Sequence, residues 1–345
     1  MKSESDFLRD LQARFTRGLP ADILGIGDDA AVIERGDGMS WVVTTDMLVE
    51  EVDFLRARPG EGPPPVPTPE SVGFNVGFKS LAVSLSDIAA MGAEPRFAFV
   101  SLGVPRDLQE SWVRAFYDGF EEAMLPARVF LLGGDTSRVP AQIVVNVCVI
   151  GEVSSHEVKL RSSGRPGDVL FVSGALGDAA AGLELFLAKD PALQNFAATR
   201  EGRLLVQRLE RPRPHLAEGR VFATTPGVAA LMDVSDGLAA DLPKLLESSR
   251  CGARVRLENL PWSSELGAYA QALGRDPVAI AARGGEDFVL LGSCRAHAWN
   301  EVVAEFKRAI GRDPARIGEL VEGPSVEWTR DGKPAPAPKG FDHFA

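Results

Sequence analysis

Over residues 4–17, Phe7, Leu8, Leu11 and Phe15 recur on one side at helical spacing and predict a short amphipathic helix. Trp41, Val42, Val43, Thr44, Thr45 and Asp46 read as an apolar strand that ends in an acid. Residues 56–69 contain six prolines and two glycines, which predicts a loop. A helix is expected next. Thr68 can cap it, Pro69 suits its first turn, Phe74, Phe78, Leu81, Leu85 and Ile88 form its apolar stripe, and Gly92 can end it. Strands are expected at 96–103, 128–132 and 142–151, with a helix at 107–124.

The second half opens with Arg161-Ser-Ser-Gly-Arg-Pro-Gly-Asp168, a turn-rich entry to a strand at 169–173. The loop Ser173 to Gly177 leads into a helix at 178–188. A strand at 228–232 ends at Asp233, and a helix starts near Asp236. Further strands are expected at 253–257, 287–292 and 316–320. This mixed order predicts an α+β architecture rather than a doubly wound sheet, with a domain boundary near 151–165.

Composition narrows the class. A chain of 345 residues, 45% apolar and 25% charged, has the makings of two globular domains. A net charge of −11 repels nucleic acid and anionic membranes, so neither is an expected partner. Handling an anionic substrate would then call for metal cations. Cys148, Cys251 and Cys294 form no C-x-x-C pair and fit buried thiols in a reducing compartment. No apolar run reaches membrane-spanning length and the N-terminus is polar, so a cytoplasmic protein is expected.

Two motifs mislead. Gly25-Ile-Gly27-Asp28-Asp29-Ala30 fits the dinucleotide fingerprint, but the residues after it read as a strand, leaving no helix N-terminus for a pyrophosphate. Gly73 to Ser80 nearly matches a phosphate-binding P-loop. It has Phe78 where glycine should precede Lys79, and its pattern is helical.

The informative feature is a set of acids at or just beyond the ends of apolar elements: Asp28, Asp29, Asp46, Asp87, Asp135, Asp233, Asp236 and Glu286. Crowded carboxylates must be neutralised by protons or metals, and oxygen donors without His or Cys clusters point to Mg²⁺. Singly, each has an ordinary alternative. Asp236 can cap the following helix, Asp135 can be a turn acid, and Asp28 or Asp29 can brace its turn. Asp87 is harder to explain this way, because it sits near a helix C-terminus, where the dipole disfavours an anion.

GIGDDAAV, TTDMLVE, LAVSLSDIAAMGA, GGDTSR, RSSGRPGD, DVSDGL, GGEDF and KGFDHF occur together and in order. This set resembles the signature of the thiamine-monophosphate kinase family, within the superfamily that includes aminoimidazole ribonucleotide synthetase. The resemblance implies an N-terminal dimerising α/β domain (1–150) and a C-terminal α+β domain (151–345), with ATP and several Mg²⁺ ions in the groove between them. It implies a homodimer acting on ATP and thiamine monophosphate. By motif match, Asp29, Thr44, Thr45, Asp46, Asp87, Asp135, Asp233 and Asp236 would coordinate magnesium, directly or through water. Gly134, Asp135, Arg161 and Ser235 would contact ATP, and Asp53, Glu286 and Phe341 would lie in the acceptor region. Asp46, Asp135, Arg161 and Asp236 are expected to carry the transfer.

The chain departs from that pattern in places. Asp53 stands where the family usually has histidine, Ser84 where asparagine is common, and Val289 where glutamate is usual. Asp53 can turn away from the acceptor phosphate or face the cationic ring. Two alternatives stay open at this point: another ATP-using enzyme of the same superfamily, and a non-catalytic nucleotide or thiamine-phosphate binding protein.

Overall fold

The structure, a computed structural model, describes residues 4–56 and 68–340. Most of the proline-rich loop, and Phe341 with most of its motif, lie outside the described residues. The first sheet comprises β1 (Ile23–Leu24), β2 (Ala31–Glu34), β3 (Met39–Val49), β4 (Glu94–Val104), β5 (Phe130–Arg138) and β6 (Val144–Ser154). Their order is β1-β2-β3-β6-β4-β5, and every neighbouring pair is antiparallel except β4 with β5. Three helices accompany it: α1 (Glu4–Phe15), α2 (Pro69–Ala90) and α3 (Glu110–Ala127).

Helix α2 forms where its signals stand. The Thr68 side chain accepts from Ser71 N at 3.2 Å, Pro69 opens the first turn, and Gly92 beyond the last turn adopts φ +71°. α2 and α3 cover one face of the sheet, burying Val42, Leu48, Leu85, Phe116, Phe120 and Val147 in one core. They approach closely because a side chain at Gly77 would strike the Phe116 carbonyl oxygen, and one at Gly119 that of Phe74. The opposite, open face of the sheet carries neither α2 nor α3.

The second sheet comprises β7 (Val169–Val172), β8 (Val228–Val234), β9 (Gly252–Arg256), β10 (Val289–Cys294), β11 (Ala315–Val321), β12 (Val326–Arg330) and β13 (Lys333–Pro334). Its order is β13-β12-β9-β11-β7-β10-β8, and only β12 with β9 is parallel. Around it lie α4 (Asp178–Phe186), α5 (Pro191–Ala197), α6 (Arg200–Glu210), α7 (Leu216–Thr224), α8 (Leu238–Ser249), α9 (Ser264–Leu273), α10 (Pro277–Arg283) and α11 (Trp299–Ile310). The α+β expectation holds. Ala89 and Ala90 at the end of α2 share a core with Phe171, Phe222 and Phe306, so α2 contributes to the cores of both halves.

Several expectations change. The GGDTSR segment is not a turn but the body of β5, paired in parallel with β4. A side chain at Gly134 would collide with the Val100 carbonyl, so this pairing itself requires glycine. Likewise Asp46 lies within β3 rather than at its end, because the ladder to β6 continues to Val49. α8 begins at Leu238 behind Gly237, with no side-chain cap, so Asp236 is not the capping residue. On α1, Phe7 and Leu8 are 45% exposed and Phe15 55%, so its apolar side is not buried. The two misleading motifs resolve as expected: β2 follows GIGDDA directly, and residues 73–80 lie inside α2.

Candidate active site

Alternation along β3 sends Thr44 and Asp46 toward α2, and Thr45 and Met47 toward the open face. On the α2 side, Thr44 Oγ1 donates to Asp87 Oδ2 at 2.5 Å, and Ser84 Oγ donates to Asp46 Oδ2 at 2.6 Å. Ser86 Oγ, on the same helix, reaches across to Asp233 Oδ2 at 2.8 Å. Asp233 is the penultimate residue of the buried strand β8, and the loop after β1 brings in Asp29. Carboxylate oxygens of Asp29, Asp87 and Asp233 all lie within 4.8 Å of one another.

Three buried carboxylates this close are costly without a counter-charge. Burial, and then the charges of Asp46, Asp233 and Asp29, push the Asp87 carboxyl well above the usual range. Burial, and then Asp29 and Asp241, do the same to Asp233. Burial also raises Asp46, against its bond from Ser84. Part of the compensation is Arg161, whose guanidinium pairs with Asp29, Nε donating at 3.2 Å. Burial works against that cation, but Asp29 and then Asp28 outweigh it and hold it protonated. Asp28 has a separate task. It accepts the backbone N–H of Asp29 at 3.0 Å and of Arg161 at 3.1 Å, and so ties the loop after β1 to the turn at Arg161–Ser163. Burial and the charge of Asp29 raise its own carboxyl to about 7. The donor set, all oxygen and short of cations, suits a hard divalent ion such as Mg²⁺.

Not every expected ligand joins this cluster. Asp135 is exposed on the edge strand β5, where Ser137 Oγ donates to it at 3.2 Å. Ser101 is in register with both Asp135 and Asn146, and Asn146 Nδ2 donates to Thr45 Oγ1 at 3.0 Å. Asp135 and Thr45 therefore belong to the open face, opposite Asp87. Asp236 forms a group of its own: Lys244 Nζ lies 2.5 Å from its Oδ2 and 2.8 Å from Asp241 Oδ1. Asp241 also accepts the Asp236 N–H at 2.9 Å, and burial raises its carboxyl to about 6.

Of the residues expected at the acceptor, Glu286 lies beside Ser235. Glu286 N donates to Ser235 O at 2.7 Å, and Phe288 N to Val234 O at 3.0 Å, joining the loop after β8 to the loop before β10. The Glu286 carboxylate meets Lys79 Nζ at 2.5 Å. Asp53 uses its carboxylate on its own turn, accepting from Val49 N at 2.8 Å. The sequence reading meets Lys79 only in the rejected P-loop match and gives no role to Ser86, Asn146, Asp241 or Lys244. Lys79 left a signal, a lysine amid an apolar helical stripe, which is uncommon unless the charge is paired.

Comparison with known proteins gives the family. Residues 27–153 match the family model of the AIR synthase related protein N-terminal domain, and residues 165–330 that of its C-terminal domain. The thiamine-monophosphate kinase of Bacillus subtilis (strain 168) is 35% identical, with 99% of each chain covered. The chain belongs to the thiamine-monophosphate kinase family. The thiamine-monophosphate kinase of Escherichia coli (strain K12) is 32% identical, covering 93% of this chain and 92% of its own. Among solved structures, AaThiL complexed with AMPPCP and TMP is 32% identical with a TM-score of 0.82, covering 99% of this chain and 97% of its own. Membership of the thiamine-monophosphate kinase family makes the chain a kinase, and neither the superfamily rival nor a non-catalytic binder is favoured.

Proposed function

We propose that the protein transfers the γ-phosphoryl group of ATP directly to the phosphate of thiamine monophosphate, giving thiamine diphosphate and ADP. The observation that carries this reading is the Asp29–Asp87–Asp233 cluster, assembled from both halves of the chain. Asp29, Asp87 and Asp233 would hold Mg²⁺, with Thr44 orienting Asp87, while Asp46 is oriented by Ser84. Bound there, Mg²⁺ would supply the positive charge that two mutually repelling phosphates need. Arg161 fixes the loop that carries Asp29, and Gly134, Asp135 and Ser235 are assigned to ATP by motif. Thr45 and Asp236 are assigned to further metal contacts on the same ground.

The acceptor's phosphate has a second pKa of about 6 and is mostly ionised at neutral pH, so no strong general base is required. Catalysis then rests on positioning and electrostatics, without a phospho-enzyme. Glu286 and Phe341 are assigned to the acceptor. Two copies are proposed to pair through the first sheet. Among the described residues its edge strand β5 is unpaired on one side and presents Phe130 and Leu132, and the open face adds Phe99 and Met47. The N-terminal and C-terminal domains are proposed to divide between 151 and 165. Among the described residues no helix is long and apolar enough to cross a membrane, and the proposed site of action is the cytoplasm.

The test is metal dependence with Asp46→Asn. Turnover of ATP with thiamine monophosphate should vanish in excess chelator and return with Mg²⁺, and the variant should lose most turnover, roughly a hundredfold or more, while folding normally. Full activity in chelator would contradict the proposal.

A further inference from the structure

We propose that Lys79 is a positioning residue for the acceptor: it fixes the Glu286 carboxylate and the turn carrying Asp53, and so sets how the acceptor lies. This rests on the kinase reading given above.

Lys79 is only 5% exposed. A buried ammonium is expensive unless paired, and its partners are both acceptor-region groups. Its Nζ lies 2.5 Å from Glu286 Oε1 and donates to the Asp53 carbonyl at 3.3 Å. The Glu286 side chain keeps 35% exposure, so it is anchored by the lysine and still open to a ligand.

The backbone around Glu286 is already fixed. Glu286 and Phe288 adopt φ +64° and +49°, a left-handed conformation that costs a non-glycine residue energy and persists only where its surroundings impose it. The imposing contacts are the two N–H bonds to Ser235 and Val234, and the buried Asp287 carboxylate between them. Asp287 accepts from Gly177 N at 2.6 Å and Ala179 N at 3.2 Å at the start of α4. What remains free is the Glu286 side chain, and Lys79 holds it from the other domain.

Lys79 is also placed at a useful distance. Asn75, Lys79 and Ser86 form one stripe of α2, and each meets the second half of the chain. Arg211 Nε donates to Asn75 Oδ1 at 2.6 Å, Lys79 pairs with Glu286, and Ser86 bonds Asp233. Lys79 and Ser86 stand seven residues apart, roughly 10 Å along the helix, so the acceptor contact is offset from the carboxylate cluster. That offset suits a substrate held by its ring system at one end and reacting through its phosphate at the other.

The experiment is a double-mutant cycle in steady-state kinetics on the full-length enzyme, using Lys79→Met, Glu286→Gln and both together, with folding checked by thermal unfolding. Lys79→Met should raise KM for thiamine monophosphate roughly tenfold while KM for ATP changes less than about twofold. In the Glu286→Gln background the same change should add less than about twofold, because the group it positions is already altered. Lys79→Gln, which keeps a donor for the Asp53 carbonyl, guards against a folding failure and should fall between wild type and Lys79→Met. Equal rises in both KM values, or independent multiplication of the two single effects, would overturn the positioning role. An active wild type whose acceptor KM is untouched by Lys79→Met would overturn it alone. A wild type inert toward thiamine monophosphate would remove the acceptor reading beneath it.

Discussion

At the residue scale, the site stores electrostatic cost. Asp233 is buried at 3% exposure beside Asp29, and its pKa is raised chiefly by burial. A carboxyl whose folded pKa exceeds its unfolded value contributes stability that is present at low pH and lost as pH rises through the folded value. In the metal-free protein near pH 8, Asp233 is therefore a liability, which Ser86 and Arg161 offset in part and which the proposed Mg²⁺ would relieve further. Asp233→Asn keeps an acceptor for Ser86 and removes the charge. It should raise the metal-free melting temperature by ~2 °C or more, abolish the further rise produced by Mg²⁺, and remove activity. Calorimetry with and without Mg²⁺ checks this, and a variant less stable than wild type in chelator would count against it. The hint was legible at Asp87, an acid in the last turn of a helix where the dipole opposes it. The Thr44 hydroxyl that orients it was beyond reach of sequence spacing, since it arrives from a strand 43 residues away.

At the scale of elements, the strongly patterned segments were readable and the crowded ones were not. α2 carried a cap, a proline, an apolar stripe and a terminal glycine, and its observed limits follow them. The sequence pattern predicts a strand that stops at residue 132, because Gly133 and Gly134 read as a turn, whereas the parallel ladder of β5 to β4 overrides local preference. The sequence pattern places no helix at α5, α6, α7, α9, α10 or α11. α5 and α7 span only seven and nine residues, too few to establish a periodicity. The end of α7 nearest the sheet illustrates what such elements do. Leu290 N donates to Ser173 Oγ at 2.7 Å, and the same hydroxyl shares a hydrogen bond with His215 Nδ1 at 2.6 Å. Burial, then the nearby Arg312 and Arg213, lower the His215 pKa from 6.5 to about 4, while Glu218 opposes them. A base lowered in this way contributes stability that is full above the unfolded value and lost as pH falls toward the folded one. His215→Asn keeps an acceptor for Ser173 without titrating. On moving from pH 7 to pH 5.5, wild type should lose on the order of 1 kcal/mol more stability than the variant, measured by urea unfolding. Parallel losses would show that His215 is not the group responsible.

At the scale of the molecule, α2 is shared property. One face packs on the first sheet, and its stripe of Asn75, Lys79 and Ser86 meets the second domain, so residues 29, 87 and 233 converge at its end. The chain order of motifs announced the family. It did not announce this convergence, because contacts such as Ser86 with Asp233, 147 residues apart, leave no periodic trace. Nor did it show that Thr45 and Asp135 face away from the cluster, a consequence of strand alternation and register. The claim these arrangements serve is direct phosphorylation of thiamine monophosphate, and one measurement addresses it head-on. The purified enzyme is incubated with ATP, Mg²⁺ and either thiamine monophosphate or aminoimidazole precursors, and the products are identified by mass spectrometry. The account predicts thiamine diphosphate and ADP in equal amounts, with no ATP consumed on the precursors. ATP consumption with a precursor, and none with thiamine monophosphate, would contradict it.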